Sequence, residues 1–463
     1  MTKVIADIAK EIGSGLTPLR SNSSFWDSCD VPWLKTDQLG SHLIYETNEY
    51  ISQSALEETS IKLWPPHTVS IAMYGEGKTR GNTSIIMSEM TTNQACCNVI
   101  VDENAADYRF LYYWLKYNYV QLRSLASGVR KNLNSDDIKG FPFPNIEMIN
   151  QTRIADVLSV IDNRIDCNER TCVELESMAK TLYDYWFVQF DFPDENGKPY
   201  HTSGGKMIGN DRTKRKIPNG WKDGNLYDIA DFVNGLACQK YRPEIGEEGL
   251  PVIKIKEMHD GISEDTEFVS MNIPKKYIVE DGDLLFSWSA TLETMFWYGG
   301  KGGLNQHIFK VVPKASYPIE YVYEQLSAYI INFVKMAEAR KTTMGHITTD
   351  HLNQSKIVLP SPDVLEKYAI KVKPIYQRIG QLKRENIVLS KLRDWLLPML
   401  MNGQATVVDE EKKKSSISET AAIPATDPRF TKWLKTMGLA ARGTVNRQTL
   451  LDIFNAIDED DKQ

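Results

Sequence analysis

Residues 154–182 read IADVLSVIDNRIDCNERTCVELESMAKTL, and residues 368–396 read YAIKVKPIYQRIGQLKRENIVLSKLRDWL. In the first stretch Ile154, Leu158, Ile161, Ile165, Asn168, Cys172, Leu175 and Leu182 fall mostly at alternating spacings of four and three. In the second, Tyr368, Val372, Ile375, Ile379, Leu382, Asn386, Leu389 and Leu396 do the same. Such spacing is the seam of a heptad helix. Every pair is 214 positions apart (379 − 165; 396 − 182), so the two stretches align without a gap. Each follows a proline-marked turn, Phe141-Pro142-Phe143-Pro144 and Leu359-Pro360-Ser361-Pro362, as a helix start requires. Pro374, early in the second helix, predicts a kink or a delayed start.

The repeat extends outward from these helices. Asp7-Ile8-Ala9 parallels Asp228-Ile229-Ala230, Val31-Pro32-Trp33-Leu34-Lys35 parallels Leu250-Pro251-Val252-Ile253-Lys254, and Asn93-Gln94 parallels Asn305-Gln306. The drifting offset is that of one fold carrying different loops. Thr68–Tyr74 and Asp283–Trp288 read as strands, Tyr108–Ser124 and Ile319–Ala339 as amphipathic helices. The expected fold class is therefore α+β, with two globular domains of mixed α+β fold and an internal pseudo-two-fold repeat. Its expected divisions are a first domain at 1–145, a first helix and linker at 146–200, a second domain at 201–360, a second helix at 361–405, and a C-terminal extension at 406–463.

A helix of about 40 residues spans about 60 Å at 1.5 Å per residue. If the second domain's ends lie close together, the second helix must run back along the first, giving two long antiparallel helices in a coiled coil that separates the domains. Charge agrees with that pairing: residues 146–200 hold 11 acids and 5 bases, residues 361–405 hold 4 acids and 8 bases. Asn168 and Asn386 sit on the seam, where a buried amide can fix register. Two related domains held apart on a rod suit the reading of two separated half-sites on duplex DNA, one by each half of the chain.

The 463 residues, 42% hydrophobic and 25% charged, have the composition of a soluble globular protein. No apolar run of membrane length and no signal peptide is legible, which places the chain in the cytoplasm with no membrane partner. The six cysteines form no Cys-x-x-Cys pair, so no metal is expected. Gly77-Lys78-Thr79 resembles the end of a phosphate-binding loop but has Ala72 where the first glycine belongs, and no helix pattern follows. The other common catalytic signatures are absent, so the expectation is no catalytic residue and no cofactor.

Base readout needs Arg, Lys, Asn and Gln at base edges, with hydroxyls, Lys and backbone amides on phosphates. The polar, glycine-broken segments supply the candidates. In the first domain these are Lys35, Thr36 and Asp37, then Tyr74, Lys78 and Arg80, Gln94, and Arg130, Lys131 and Asn132. In the second they are Lys254 and Lys256, Trp288, Gln306, and Lys341, Thr342 and His346. Each can equally be a solvated loop residue, and the recurrence of Asn-Gln in both copies also fits a shared structural task.

Over residues 1–405 the chain resembles the specificity subunits of type I restriction-modification systems. The marks are the Asn-Gln pair in both domains, the proline-rich helix entries, the linker from Phe190-Asp191-Phe192-Pro193 to Ser203-Gly204-Gly205-Lys206-Met207, and Ile217-Pro218-Asn219-Gly220-Trp221 beyond it. The resemblance implies two target-recognition domains, each reading half of a bipartite, asymmetric site in double-stranded DNA. It implies two modification subunits as partners, which bind S-adenosylmethionine and methylate adenine. Restriction subunits would add ATP-dependent nuclease and translocase activity, leaving this chain non-catalytic. A free-standing two-headed DNA-binding regulator and a coiled-coil interaction scaffold are the alternatives. Residues 406–463 run past the end the resemblance implies. There a charged linker precedes an expected helical pair, 427–437 and 446–457, read as a docking or disordered appendage.

Overall fold

The computed structural model describes residues 3–75, 77–126, 132–289, 291–339, 347, 349–407 and 439–440. The chain divides into two compact units. Unit 1 comprises Met1–Asp166 and Val388–Gln463, and unit 2 comprises Cys167–Ile387.

In the Met1–Asp166 part of unit 1 the strands are β1 (Ala9–Ser14), β2 (Val31–Leu34), β3 (Leu43–Ile44), β4 (Glu49–Ile51), β5 (Val69–Ala72), β6 (Thr83–Ile86), β7 (Thr91–Thr92) and β8 (Cys96–Val101). The helices are α1 (Gln53–Glu58), α2 (Tyr108–Tyr117), α3 (Tyr119–Ser124), α4 (Ser135–Lys139) and the first part of α5 (Met148–Tyr183). A five-stranded sheet has the order β1-β8-β5-β6-β3, and a smaller one has the order β4-β2-β7 with β2 and β7 parallel. The central strands of the large sheet, β5, β6 and β8, are buried on both faces. Val69, Ile71 and Val99 pack on Phe110, Leu111, Leu158 and Leu396, while Ala72, Ile86 and Cys96 pack on Leu34, Trp64 and Met90. A strand buried on both faces has no polar side to show, which is why β5 reads as a near-continuous apolar run.

Unit 2 takes the rest of α5, then β9 (Met207–Asn210), β10 (Arg215–Pro218), β11 (Lys222–Gly224), α6 (Leu226–Ile229), β12 (Ala230–Asn234), β13 (Gly249–Ile253), α7 (Ile255–Asp260), β14 (Phe268–Ser270), β15 (Ile278–Val279), β16 (Leu284–Ser287), β17 (Glu293–Phe296), β18 (Gly302–Leu304), β19 (Ile308–Pro313), α8 (Ile319–Ala339), α9 (Thr349–Asn353), β20 (Ile357–Leu359) and most of α10 (Pro362–Met401). Its sheets have the orders β12-β19-β16-β17 and β14-β13-β18-β15, with β13 and β18 parallel. Strand for strand, β12, β19, β16 and β17 occupy the places of β1, β8, β5 and β6, and β14, β13 and β18 those of β4, β2 and β7. The layering recurs too: Phe286 and Phe309 pack toward Tyr321 and Phe333, and Leu285 and Ile308 toward Ile253 and Trp297.

The helix expected over Tyr108–Ser124 is broken at Asn118, where the backbone leaves the helical region (φ −95°, ψ 20°) and the side-chain amide donates to Trp114 O at 2.9 Å beside the backbone N–H that already does so. The counterpart α8 is continuous, as expected. The delayed start at Pro374 does not occur. α10 begins at Pro362, a residue suited to a helix's first position, and runs through Pro374, which lies on the exposed face beside Ile370. There the carbonyl that loses its partner can be met by water.

Portions of α5 and α10 meet within each unit. In unit 1 Arg393 Nη1 lies 2.9 Å from Asp162 Oδ1. In unit 2 the Asn168 amide donates to Asn386 Oδ1 at 2.8 Å, and Lys383 Nζ lies 2.7 Å from Glu176 Oε1. The order is opposed: Glu176 follows Asn168, whereas Lys383 precedes Asn386. The helical pair expected after residue 426 lies outside the described residues. Among the described residues no helix is long and apolar enough to cross a membrane, and no group of three or more His, Cys, Asp or Glu could hold a metal ion.

Candidate DNA interface

The Asn-Gln pair builds the same turn twice. In unit 1 the Asn93 amide donates to Leu34 O at 2.9 Å, its side chain accepts from Ala95 N at 3.1 Å, and its carbonyl accepts from Cys96 N at 3.1 Å. In unit 2 Asn305 donates to Ile253 O at 3.2 Å, accepts from His307 N on its side chain at 3.2 Å, and accepts from Ile308 N on its carbonyl at 3.0 Å. The asparagine is the shape of the turn rather than a free base reader.

A glycine pair missed in the sequence completes it. Leu16 N donates to Thr92 O at 2.9 Å, and Leu236 N to Leu304 O at 3.0 Å. A Cβ on the preceding Gly15 would sit 2.0 Å from Thr92 O, and one on Gly235 would sit 2.1 Å from Asn305 O. Backbone crosses backbone there, and no side chain fits. Ser14-Gly15-Leu16 and Asn234-Gly235-Leu236 recur at an offset of 220 (235 − 15), between the offsets already recognised, and could have been found on that signal.

Further segments converge on this turn. Met73 N donates to Ala95 O at 2.8 Å and Met73 O accepts from Leu133 N at 3.0 Å; in unit 2 Trp288 N donates to His307 O at 3.3 Å and Trp288 O accepts from Ile347 N at 3.1 Å. Lys35, Tyr74, Gln94 and Asn132 are therefore each one residue from a backbone anchor at one end of the unit 1 sheets. In unit 2 Lys254 and Gln306 stand likewise, and Trp288 is itself the anchor. Arg130, Lys131, Lys341, Thr342 and His346 lie outside the described residues.

What these side chains do in the free protein differs. Lys35 Nζ lies 2.5 Å from Glu49 Oε1 and 3.4 Å from Asp37 Oδ2, and Lys254 Nζ lies 2.8 Å from Glu267 Oε1. Each lysine holds its glutamate's carboxyl below the usual range, and the Glu49 hydrogen bond raises the Lys35 ammonium. The pair recurs at matching positions, so both lysines are tied back into the unit. Thr36 opens a short turn, Thr36–Gln38. Gln94 Oε1 accepts from the Thr17 hydroxyl, and Gln306 Nε2 lies 3.4 Å from His307 Nε2. Trp288 Nε1 donates to Asn234 Oδ1 at 3.1 Å. Tyr74 and Lys256 are exposed. The loop that carries Lys78 and Arg80 is pinned from α3: the Tyr119 hydroxyl donates to Lys78 O at 2.5 Å and Arg123 Nη2 to Gly77 O at 2.7 Å.

Residues 1–177 and 218–390 match the type I restriction modification DNA specificity domain, one span in each half of the repeat. The chain belongs to that family. Among its relatives in this specificity family, the MjaIX type I restriction enzyme specificity subunit of Methanocaldococcus jannaschii is 24% identical over 422 residues, covering 88% of this chain and 93% of that protein. The HindI specificity subunit of Haemophilus influenzae is 21% identical over 330 residues, 60% of this chain and 72% of that one. In fold, the chain resembles the crystal structure of a type I restriction-modification S subunit from M. genitalium, with a TM-score of 0.52 at 15% identity over 86% of this chain and 95% of that one.

Proposed function

We propose that this chain is the DNA-reading subunit of a type I restriction-modification complex in the cytoplasm, with one recognition domain at 1–145 and another at 201–360. Each reads half of a bipartite, asymmetric site. The long helices at 146–200 and 361–405 form an antiparallel coiled coil that sets the unread gap and docks two adenine-methyltransferase subunits, with restriction subunits joining that core. Catalysis, with its S-adenosylmethionine and ATP, belongs to those partners.

The observation that carries this reading is the recurrent turn. One scaffold, built around Asn93 and Asn305, presents different neighbours in the two units, Met73 and Tyr74 in one, Trp288 and Ser289 in the other. Constant backbone with variable side chains is what two readers of unrelated half-sites require. The readers proposed are Lys35, Thr36, Asp37, Tyr74, Lys78, Arg80, Gln94, Arg130, Lys131 and Asn132 for one half, and Lys254, Lys256, Trp288, Gln306, Lys341, Thr342 and His346 for the other. The tied lysines act by position unless DNA displaces their glutamates.

Replacing residues 1–145 with another such domain, then mapping methylated adenines by single-molecule sequencing of the host genome, tests the assignment. One half-site changes and the other stays; a change in both halves refutes it. Adding one heptad to both helices lengthens them by about 10 Å and widens the gap by about three base pairs.

A further inference from the structure

Unit 2 carries a basic surface that none of the recognition segments includes. The β9–β10 hairpin turns through Asp211-Arg212-Thr213-Lys214-Arg215-Lys216, four bases and one acid, in a chain whose formal net charge is −7. Arg212 on this hairpin, Lys335 on α8 and Lys356 just before β20 line one groove, with Tyr329 and Asn332 between them. Three separate elements thus bring a cation to the same place. Arg212 Nη1 is a long 3.4 Å from Asp223 Oδ2, a carboxylate that also accepts from the Asn210 amide at 2.8 Å on its other oxygen. Lys335 and Lys356 are exposed and form no ion pair among the described residues. Lys356 is held by its backbone, whose N–H donates to the Tyr329 hydroxyl at 3.0 Å.

Three cations gathered with one carboxylate, Asp223, already shared with Asn210, repel one another, and the arrangement gains when an anion enters. The groove also adjoins the reading end. Phe333, two residues before Lys335, stacks on Phe286 at 6.0 Å, and the strand bearing Phe286 runs directly into Trp288. In unit 1 the Ile5 N–H donates to Phe141 O at 3.0 Å in the place where unit 2 has β11 paired with β20.

We propose that this groove binds the phosphodiester backbone of duplex DNA beside the half-site read by unit 2, with Arg212, Lys335 and Lys356 each on a phosphate. The proposal rests on the DNA-reading function above. Lysines are depleted from the cores of protein interfaces, whereas Lys, Arg and side-chain amides are the usual phosphate contacts, which favours DNA over an acidic protein surface. Phosphate contacts fix orientation without reading sequence.

The test uses the full chain with its modification subunits and two duplexes, one bearing the methylated sequence and one with that sequence scrambled, titrated from about 50 to 200 mM salt. The R212Q/K335Q/K356Q variant weakens binding to both duplexes by a similar factor. The slope of log affinity against log salt becomes shallower by about 2.7, about 0.9 per lost contact. The sites methylated stay the same, and K335R/K356R binds as wild type. An unchanged slope overturns the groove assignment while leaving the DNA-reading function intact, provided the wild type separates the two duplexes. An unchanged slope with loss of co-purifying subunits assigns the groove to a protein and overturns the proposal equally. A wild-type complex that binds neither duplex overturns both readings together.

Discussion

In unit 1 the phenol of Tyr113 on α2 donates to Asp162 on α5 at 2.8 Å, and in unit 2 the phenol of Tyr376 on α10 donates to Glu324 on α8 at 2.6 Å. Asp162 and Tyr376 are 214 positions apart (376 − 162), the offset of the helical repeat, so the same bond is made with acid and phenol exchanged between the short helix and the long one. The surroundings differ. Asp162 is only 2% exposed but meets Arg393, whereas the place matching Arg393 in unit 2 is the buried Ala179. Among the described residues no arginine pairs with Glu324. Burial pushes its carboxyl up to about 7; the Tyr376 hydrogen bond and Lys180 oppose the rise, and Asp184 and Glu176 add to it. A duplicated packing position can thus keep its hydrogen bond while its charge is compensated in one copy and titrated in the other.

The largest effect that would break this contrast is the loss of Arg393. R393M leaves a buried carboxylate unpaired and costs about 3–5 kcal/mol in urea denaturation, most of it recovered in D162N/R393M. A loss under about 1 kcal/mol would mean that Asp162 does not depend on its counterion.

Next comes pH. Glu324 has a folded value of about 7 against an ordinary 4.5, so between those limits the folded chain holds a proton that the unfolded chain releases. Stability is therefore full at low pH and falls as pH rises through that window, by up to about 3 kcal/mol. E324Q flattens this dependence and melts higher than wild type at pH 8; parallel melting curves for the two proteins across pH would remove the contrast with unit 1.

Smaller effects sharpen the likeness rather than the difference. G15A and G235A each force a methyl group into a backbone carbonyl and lose about 1–3 kcal/mol by thermal melting, in equal measure if the two turns are one design. N93A and N305A each lose about 1 kcal/mol, the worth of a side-chain bond to a turn amide, and a large inequality between them would show that the turns are not equivalent.

The seam residues were legible because a helix that buries one stripe must repeat its apolar positions, whatever lies opposite. Asn168 and Asn386 stood out on that stripe, and they bond to each other. Asn93 and Asn305 were legible as a recurring pair, though their recurrence alone left base reading and turn building equal; the bonds to Ala95 N and His307 N decide for the turn. Lys35 and Lys254 read from the sequence as cations suited to DNA, and nothing local in the sequence ties them to Glu49 and Glu267. The basic groove is not legible in the sequence because Arg212, Lys335 and Lys356 are far apart in the chain.

By itself the sequence determined two long heptad helices, a duplicated α+β plan, and the family to which the chain belongs, since periodicity and repeated motifs are written in order along the chain. Only the tertiary structure decided which cations are neutralised, which carboxylate titrates, and which scattered bases share a groove. Charge compensation depends on distances through space, and side chains brought together by folding carry no mark of it in their spacing.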